Sequence, residues 1–121
     1  MRYRTDLQPY IEIGAATTQE ARFAVQVGNA KTGVACVNVT KNNMSSGTLT
    51  FDFETATDPK SPNWANCGTG SINVTGTGQT SLLRVDLGES STTRLAGVVR
   101  WKSSGANATV GFDIVVFFAD A

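Results

Sequence analysis

The sequence predicts an all-β domain, either a β-sandwich or a small barrel. Three observations predict it: about eight short segments have strand character, turn-forming residues separate them, and none has convincing helical spacing. The separators are rich in Gly, Asn, Ser and Pro, which favour tight turns. A chain of 121 residues without an internal linker has the size of a single domain.

The strand segments differ in how clearly apolar and polar residues alternate. Residues 47–55 alternate best, because Leu49, Phe51 and Phe53 point to one face and polar residues to the other. The segments are residues 10–13, 21–27, 33–39, 47–55, 70–76, 81–87, 94–102 and 108–118. The core predicted from the alternating faces contains Phe51, Phe53, Leu83, Val85, Val99, Phe112 and Ile114.

The first residues of the chain show no strand period. We therefore expect residues 1–9 to form an N-terminal arm and residues 10–121 to form the sandwich domain. An arm needs a partner that holds it in place. We predict that Arg2, Tyr3 and Arg4 contact a neighbouring subunit or the surface of a larger assembly, with the two arginines meeting acidic groups.

The last strand segment loses its alternation. Val115 and Phe117 fall on the face of Asp113, which would be wet in an isolated sandwich. Exposed together they would form an apolar patch of a kind that soluble monomers usually avoid. Either the chain's own arm or a loop covers them, or a second subunit or the surface of a larger assembly does. We predict a homo-oligomer, with a trimer favoured, and Phe117 at or near the subunit contact.

Composition excludes several classes of function. The formal net charge is zero, with 10 Lys and Arg against 10 Asp and Glu, which argues against a nucleic-acid or anionic-membrane partner. No stretch approaches the roughly 20 apolar residues of a membrane span. The sequence has no histidine, the usual general base and commonest metal ligand. We therefore expect no catalytic residues, no cofactor and no metal.

Catalysis by carboxylates alone stays open at this point. Asp52 and Glu54 share the polar face of one strand, and with Asp86 or Asp113 they could form an acid pair or a calcium site. The favoured interpretation is a solvated strand face, on which the carboxylates pair with arginines of neighbouring strands. The candidate arginines are Arg84 and Arg100.

The loop at residues 57–70 offers another candidate site. Trp64 could stack on a sugar with Asn63 and Asn66 as hydrogen-bonding neighbours, cap one end of the sandwich, or contact another subunit. Capping is favoured for Trp64, and core packing for Trp101. Cys36 and Cys67 allow one disulfide, but synthesis in the cytosol favours free thiols, because the N-terminus lacks the apolar region of a signal peptide.

From about Ser46 to Phe118, strands and turns follow one another in a distinctive order. The stretches are "GTLTFDFET", "DPKSPNW", "VTGTGQT", "LLRVDL", "AGVVRWK" and "SSGANATVGFDIVVFF". Their order resembles that of small virion proteins of tailed phages, which are head-decoration or minor capsid proteins with a jelly-roll-like β-sandwich. The resemblance implies a single jelly-roll sandwich of about eight antiparallel strands and association with a virion assembled in the host cytoplasm.

The sequence thus predicts a structural protein without enzymatic activity. It would decorate or stabilise a phage capsid by contacting the major capsid protein, other virion subunits or its own copies. The main alternative is a carbohydrate-binding module with Trp64 and Tyr10 as stacking residues. A third option, a glycosidase that uses carboxylates, needs two carboxyl groups facing each other across a cleft.

Overall fold

The computed structural model describes residues 2–27, 30, 32–88, 95 and 97–119, with backbone only at residues 2, 3, 68–70 and 88. Over these residues the structure is all-β, as predicted, with eight strands and one 3-10 turn, at Ala21–Phe23. Among these residues, no helix has the length and apolar character needed to cross a membrane. The strands are β1 (Arg2–Ile13), β2 (Val25–Gln26), β3 (Thr32–Asn42), β4 (Thr48–Ala56), β5 (Ala65–Thr75), β6 (Leu82–Gly88), β7 (Val98–Ser104) and β8 (Val110–Ala119).

The strands form two four-stranded antiparallel sheets that pack face to face. Sheet I has the order β1-β8-β3-β6, and sheet II has the order β2-β7-β4-β5. Neighbouring strands are far apart in the chain, since β8 lies between β1 and β3, and β7 lies between β2 and β4. This is the eight-stranded arrangement of a jelly roll, so the predicted fold class is confirmed.

Aromatic side chains from both sheets fill the centre of the core. The ring of Phe51 lies edge-on to Phe112 and to Trp101, at centroid distances of 4.7 and 6.1 Å. Five of the seven predicted core residues are fully buried, and Leu83 and Val85 are partly buried against the same cluster. The difference arises because Leu83 and Val85 lie on β6, an edge strand of sheet I.

The prediction of an N-terminal arm over residues 1–9 is wrong, because residues 2–9 belong to β1. That strand pairs with β8 along its length, and Leu7 is 2% exposed in the core. The pairing shifts register on both sides of Gln8, which breaks the alternation expected of a strand. Pro9 falls within this irregular stretch of an edge strand, where its missing N–H is tolerated.

The predicted strand at residues 21–27 is much shorter than expected. Ala21–Phe23 forms a 3-10 turn, and only Val25–Gln26 pairs with β7. Phe23 lies at the end of this turn and is 56% exposed. The buried Gln19 explains the turn, because its side-chain amide donates a hydrogen bond to the carbonyl of Phe23 at 3.3 Å.

Candidate protein-binding surface

The outer face of sheet I carries the apolar side chains that break the alternation of β8. Phe112, Ile114 and Val116 point into the core and are fully buried. Val115 and Phe117 point outward, and Phe117 is 45% exposed although it lies on a central strand. The described part of the chain therefore leaves this aromatic ring open to a partner.

Strand register extends this apolar region onto β3. Phe117 lies opposite Val34, and Val115 lies opposite Cys36. We call these four residues the apolar strip. Val34 and Cys36 are half-buried, as is Val115, and a free cysteine behaves as a small apolar side chain. The strip occupies the two central strands of sheet I, which are hydrogen-bonded on both sides and hence rigid.

Charged side chains border the apolar strip on both edge strands. In the Phe117 row, Arg4 of β1 lies beside Phe117 and Asp86 of β6 lies beside Val34. In the Val115 row, Asp6 lies beside Val115 and Arg84 lies beside Cys36. All four charged residues are exposed. Each row therefore runs from one charge, across two apolar residues, to the opposite charge.

Only part of this surface was recognised from the sequence. Val115 and Phe117 were identified because β8 fails to alternate, and Arg4 was identified as a partner contact for a different reason. Val34 and Cys36 were missed because residues 33–37 carry small or apolar side chains on both faces of β3. Burial does alternate along this strand, and it places these two residues on the outer face. Of the two residues named with Arg4, Arg2 and Tyr3, the structure describes the backbone alone, paired with β8.

The outer face of sheet II has a different character, because its charges are already paired. The Glu54 carboxylate accepts a hydrogen bond from Arg100 at 3.1 Å and lies 3.4 Å from the ammonium of Lys102. The Arg100 guanidinium lies 4.0 Å from the centroid of the Trp64 ring. Trp64 therefore packs over a cross-strand ion pair and does not cap the end of the sandwich as expected.

The carboxylates considered for acid catalysis or calcium binding are not brought together. Asp52 and Glu54 lie on the outer face of sheet II, where Ser71 donates a hydrogen bond to Asp52. Asp86 and Asp113 lie on the outer face of sheet I, on the opposite side of the sandwich. No cluster of three or more possible metal ligands occurs among the described residues. Glu54 pairs across strands with Arg100, as expected, but its carboxylate is buried and not on a solvated face, and Asp52 bonds to Ser71 and to no arginine.

We expect Arg100→Ala to lower the free energy of unfolding by about 1–3 kcal/mol. The substitution removes the contact with Trp64 and leaves Glu54, whose side chain is 10% exposed, with Lys102 as its remaining cation. Urea denaturation measures the loss. Lys102→Ala is the matched control and should cost less than about 1 kcal/mol, because that side chain is 38% exposed. Equal losses in the two variants would contradict this account.

Tyr10 and Trp64 do not form one sugar-stacking platform. Tyr10 lies on β1 of sheet I and is 53% exposed, whereas Trp64 packs on sheet II. The Tyr10 hydroxyl donates a hydrogen bond to Glu12 at 3.0 Å, and this bond raises the pKa of Tyr10 and lowers the pKa of Glu12. The Tyr10 ring also covers Gly111, where a Cβ would overlap it.

Cys36 and Cys67 are free thiols on different sheets. Burial raises the pKa of Cys67 to about 12. Burial also raises the pKa of Cys36, and the charge of Arg84 partly offsets this. In dilute solution we expect iodoacetamide to modify Cys36 alone, faster as the pH rises, because only thiolate reacts.

Mass spectrometry tests this thiol prediction. One adduct should form on the folded protein and two in denaturant, since unfolding exposes Cys67, which is 3% exposed in the fold. Cys36→Ser should abolish labelling of the folded chain. Labelling of Cys67 at the rate of Cys36 under native conditions would show that Cys67 is not held in the core.

A cleft of about 530 Å³ opens beside the irregular part of β1. Its floor is held by two glutamines. Gln19 donates to the carbonyl of Leu7 at 2.7 Å, and Gln8 accepts a hydrogen bond from the indole of Trp101 at 3.0 Å. The exposed ring of Phe23 lies at its rim. Gln19 fastens the 3-10 turn to β1, and Gln8 joins β1 to Trp101 of β7, so both glutamines have a structural role.

The chain matches no protein-family model and no curated protein. Its function therefore has to be inferred from the surfaces described above. The outer face of sheet I stands out among them, because it combines an exposed aromatic ring on a central strand with a border of exposed charges.

Proposed function

We propose that this protein is a structural virion protein that decorates or stabilises the capsid of a tailed phage through protein–protein contacts. The observation that carries the proposal is the apolar strip at the centre of the outer face of sheet I. An exposed apolar patch rimmed by polar residues marks an interaction site. Phe117 is the anchor of this contact, since it is the most exposed side chain of the strip.

The arrangement of the strip suits repeated contacts of modest strength. An apolar centre with a charged rim is the usual anatomy of a protein interface. Burying Val115 and Phe117 against a partner contributes roughly 1.5–3 kcal/mol for each side chain, before the costs of association. One such contact binds weakly, but many copies on a lattice bind with high avidity.

The fold and the pattern of strands support the same proposal. Jelly rolls occur in viral capsid proteins, and the resemblance noted from Ser46 to Phe118 covers β4 to β8. Jelly rolls also occur in lectins, so the fold alone does not choose between a virion protein and a sugar-binding module. The choice rests on surface chemistry: the ring of Trp64 is engaged by Arg100, whereas Phe117 is open.

Analysis of purified virus particles tests the proposal. In particles of the virus whose genome encodes this chain, we expect the protein at a fixed ratio to the major capsid protein after density-gradient purification. An image reconstruction should place the sandwich on the head. Finding the protein in the host lysate but never in particles would overturn the proposal, and specific binding on a glycan array would favour the carbohydrate-binding alternative.

Phe117→Asp should strongly reduce the number of copies per particle, because it places a charge in the centre of the contact. Phe23→Asp is the matched control, since that ring is 56% exposed and lies at the rim of the β1 cleft. Quantitative mass spectrometry of the particles measures the occupancy. Equal occupancy for the two variants would exclude Phe117 from the contact.

A further inference from the structure

We propose that the outer face of sheet I binds a second copy of this chain, face to face, about a two-fold axis parallel to the strands. The inference rests on the proposed function in one respect, because it names a second copy as the partner that covers the apolar strip on the particle, which leaves the other surfaces of the pair to meet the capsid. The observation that carries it is the order of charges in the two rows that cross the apolar strip.

The charges are complementary to themselves under this rotation. An axis that runs along the strands between β8 and β3 exchanges the two ends of each row. Arg4 of one copy then faces Asp86 of the other, and Asp6 of one copy faces Arg84 of the other. The symmetry forms each pair twice, so four opposite-charge pairs surround the contact, and no like charges meet in these two rows.

The apolar residues are matched by the same rotation. Phe117 of one copy faces Val34 of the other, and Val115 faces Cys36. The larger side chain in each row thus meets the smaller one across the interface, which allows the two layers to interdigitate. Strand directions in the two copies stay aligned, as in the common packing of two β-sheets.

A third row of residues across sheet I is also complementary between the two copies. Asp113 on β8 lies opposite Asn38 on β3, so the rotation places the Asp113 carboxylate over the Asn38 side-chain amide of the second copy. The amide is a hydrogen-bond donor and the carboxylate is an acceptor. Among the described residues, Asp113, Arg84 and Asp86 make no ion pair within the chain, so these side chains are available to a partner.

The size of the face limits the strength of the pair. Four strands spaced about 4.8 Å apart, over seven residues that rise about 3.4 Å each, cover roughly 450 Å² per copy. The total of about 900 Å² lies at the low end of specific interfaces. We therefore expect a reversible dimer with a dissociation constant in the micromolar range or weaker. A self-complementary patch also favours a two-fold pair over the trimer expected from the sequence, because a closed ring needs two different patches.

Sedimentation of the purified chain over a range of concentrations tests the pairing. We expect monomers in dilute solution and dimers at high micromolar concentration, and the alkylation of Cys36 should slow as dimers form. Arg84→Asp places a carboxylate over Asp6 of the partner and should weaken association roughly tenfold. Asp6→Arg alone should do the same, because the new guanidinium meets Arg84 of the partner.

Mixing the two charge-reversed variants gives the decisive result. In a mixed pair every contact of residues 6 and 84 again joins opposite charges, so Arg84→Asp with Asp6→Arg should associate as tightly as the unmodified chain. Phe23→Asp is the control and should dimerise normally. Both reversed sites are exposed, so circular dichroism should report an unchanged fold.

Two results would overturn the inference. The first is a monomer at all concentrations up to the millimolar range. The second is a dimer that the mixture fails to restore, since a two-fold axis across the strands would pair Arg84 with Asp86 and leave the mixture repulsive. Neither result depends on a capsid, so a monomer that still binds particles would refute the pairing alone. A dimer that binds no particle would refute the proposed function alone.

Discussion

Phe51→Ala should lower the free energy of unfolding by about 3–5 kcal/mol. The Phe51 side chain is completely buried at the centre of the core, edge-on to the rings of Phe112 and Trp101. Its removal leaves a cavity that rings on both sheets cannot collapse to fill, since each is itself held in a packed cluster. Equilibrium unfolding in urea, followed by circular dichroism, measures the loss.

Leu82→Ala is the control for this experiment. It also removes a large apolar side chain from a strand, but Leu82 is 68% exposed on β6. The control should change the free energy of unfolding by less than about 0.5 kcal/mol. A loss below about 1 kcal/mol for Phe51→Ala would show that the aromatic cluster does not hold the two sheets together.

Deletion of residues 2–8 should destabilise the fold by at least about 4 kcal/mol. The deletion removes the first half of β1, and with it the partner of one edge of β8. It also removes Leu7, whose burial alone is worth about 2–5 kcal/mol by comparison with other core leucines. Since small domains are stable by about 5–15 kcal/mol, much of the truncated chain should be unfolded at body temperature.

A thermal melt of the truncated chain measures this effect, and two point variants separate its causes. Leu7→Ala should reproduce a large part of the loss. Arg4→Ala should have almost no effect on stability, because its side chain is 64% exposed and its ion pair with Asp6 is a surface contact. A truncated chain that melts at the same temperature as the whole chain would show that β1 is dispensable, as expected of an arm.

The sequence predicts the parts of the fold in which alternation is regular. β4 and β8 were found with their inner faces because Phe51 and Phe53, like Phe112 and Ile114, are two residues apart and both point inward. The register shift between Phe51 and Phe53 adds its extra residues to β5, so the two-residue period of β4 is kept. β1 was missed because its register shifts around Gln8 remove the two-residue period that identifies a strand. The 3-10 turn before β2 was missed because it depends on Gln19, which bonds to Phe23 within the turn but is itself held by Leu7 and by Trp101, a residue distant in the chain.

The candidate protein-binding surface, too, could be predicted from the sequence only in part. Val115 and Phe117 could be found from one strand, because a local break in alternation marks them. The order of charges around them could not be found, because it depends on which strands are neighbours. Arg4 and Asp86 are separated by most of the chain, and only the pairing of β1, β8, β3 and β6 puts them in one row.

The central position of β8 in sheet I also determines the order in which the fold can assemble during synthesis. All four strands of sheet II, and the other three strands of sheet I, leave the ribosome before β8 does. Until β8 arrives, β1 has no neighbour, and one edge of β3 is open. The nascent chain therefore leaves the inner side of sheet I incomplete until β8 is made. Because pairing between distant segments is slow, this interval favours aggregation.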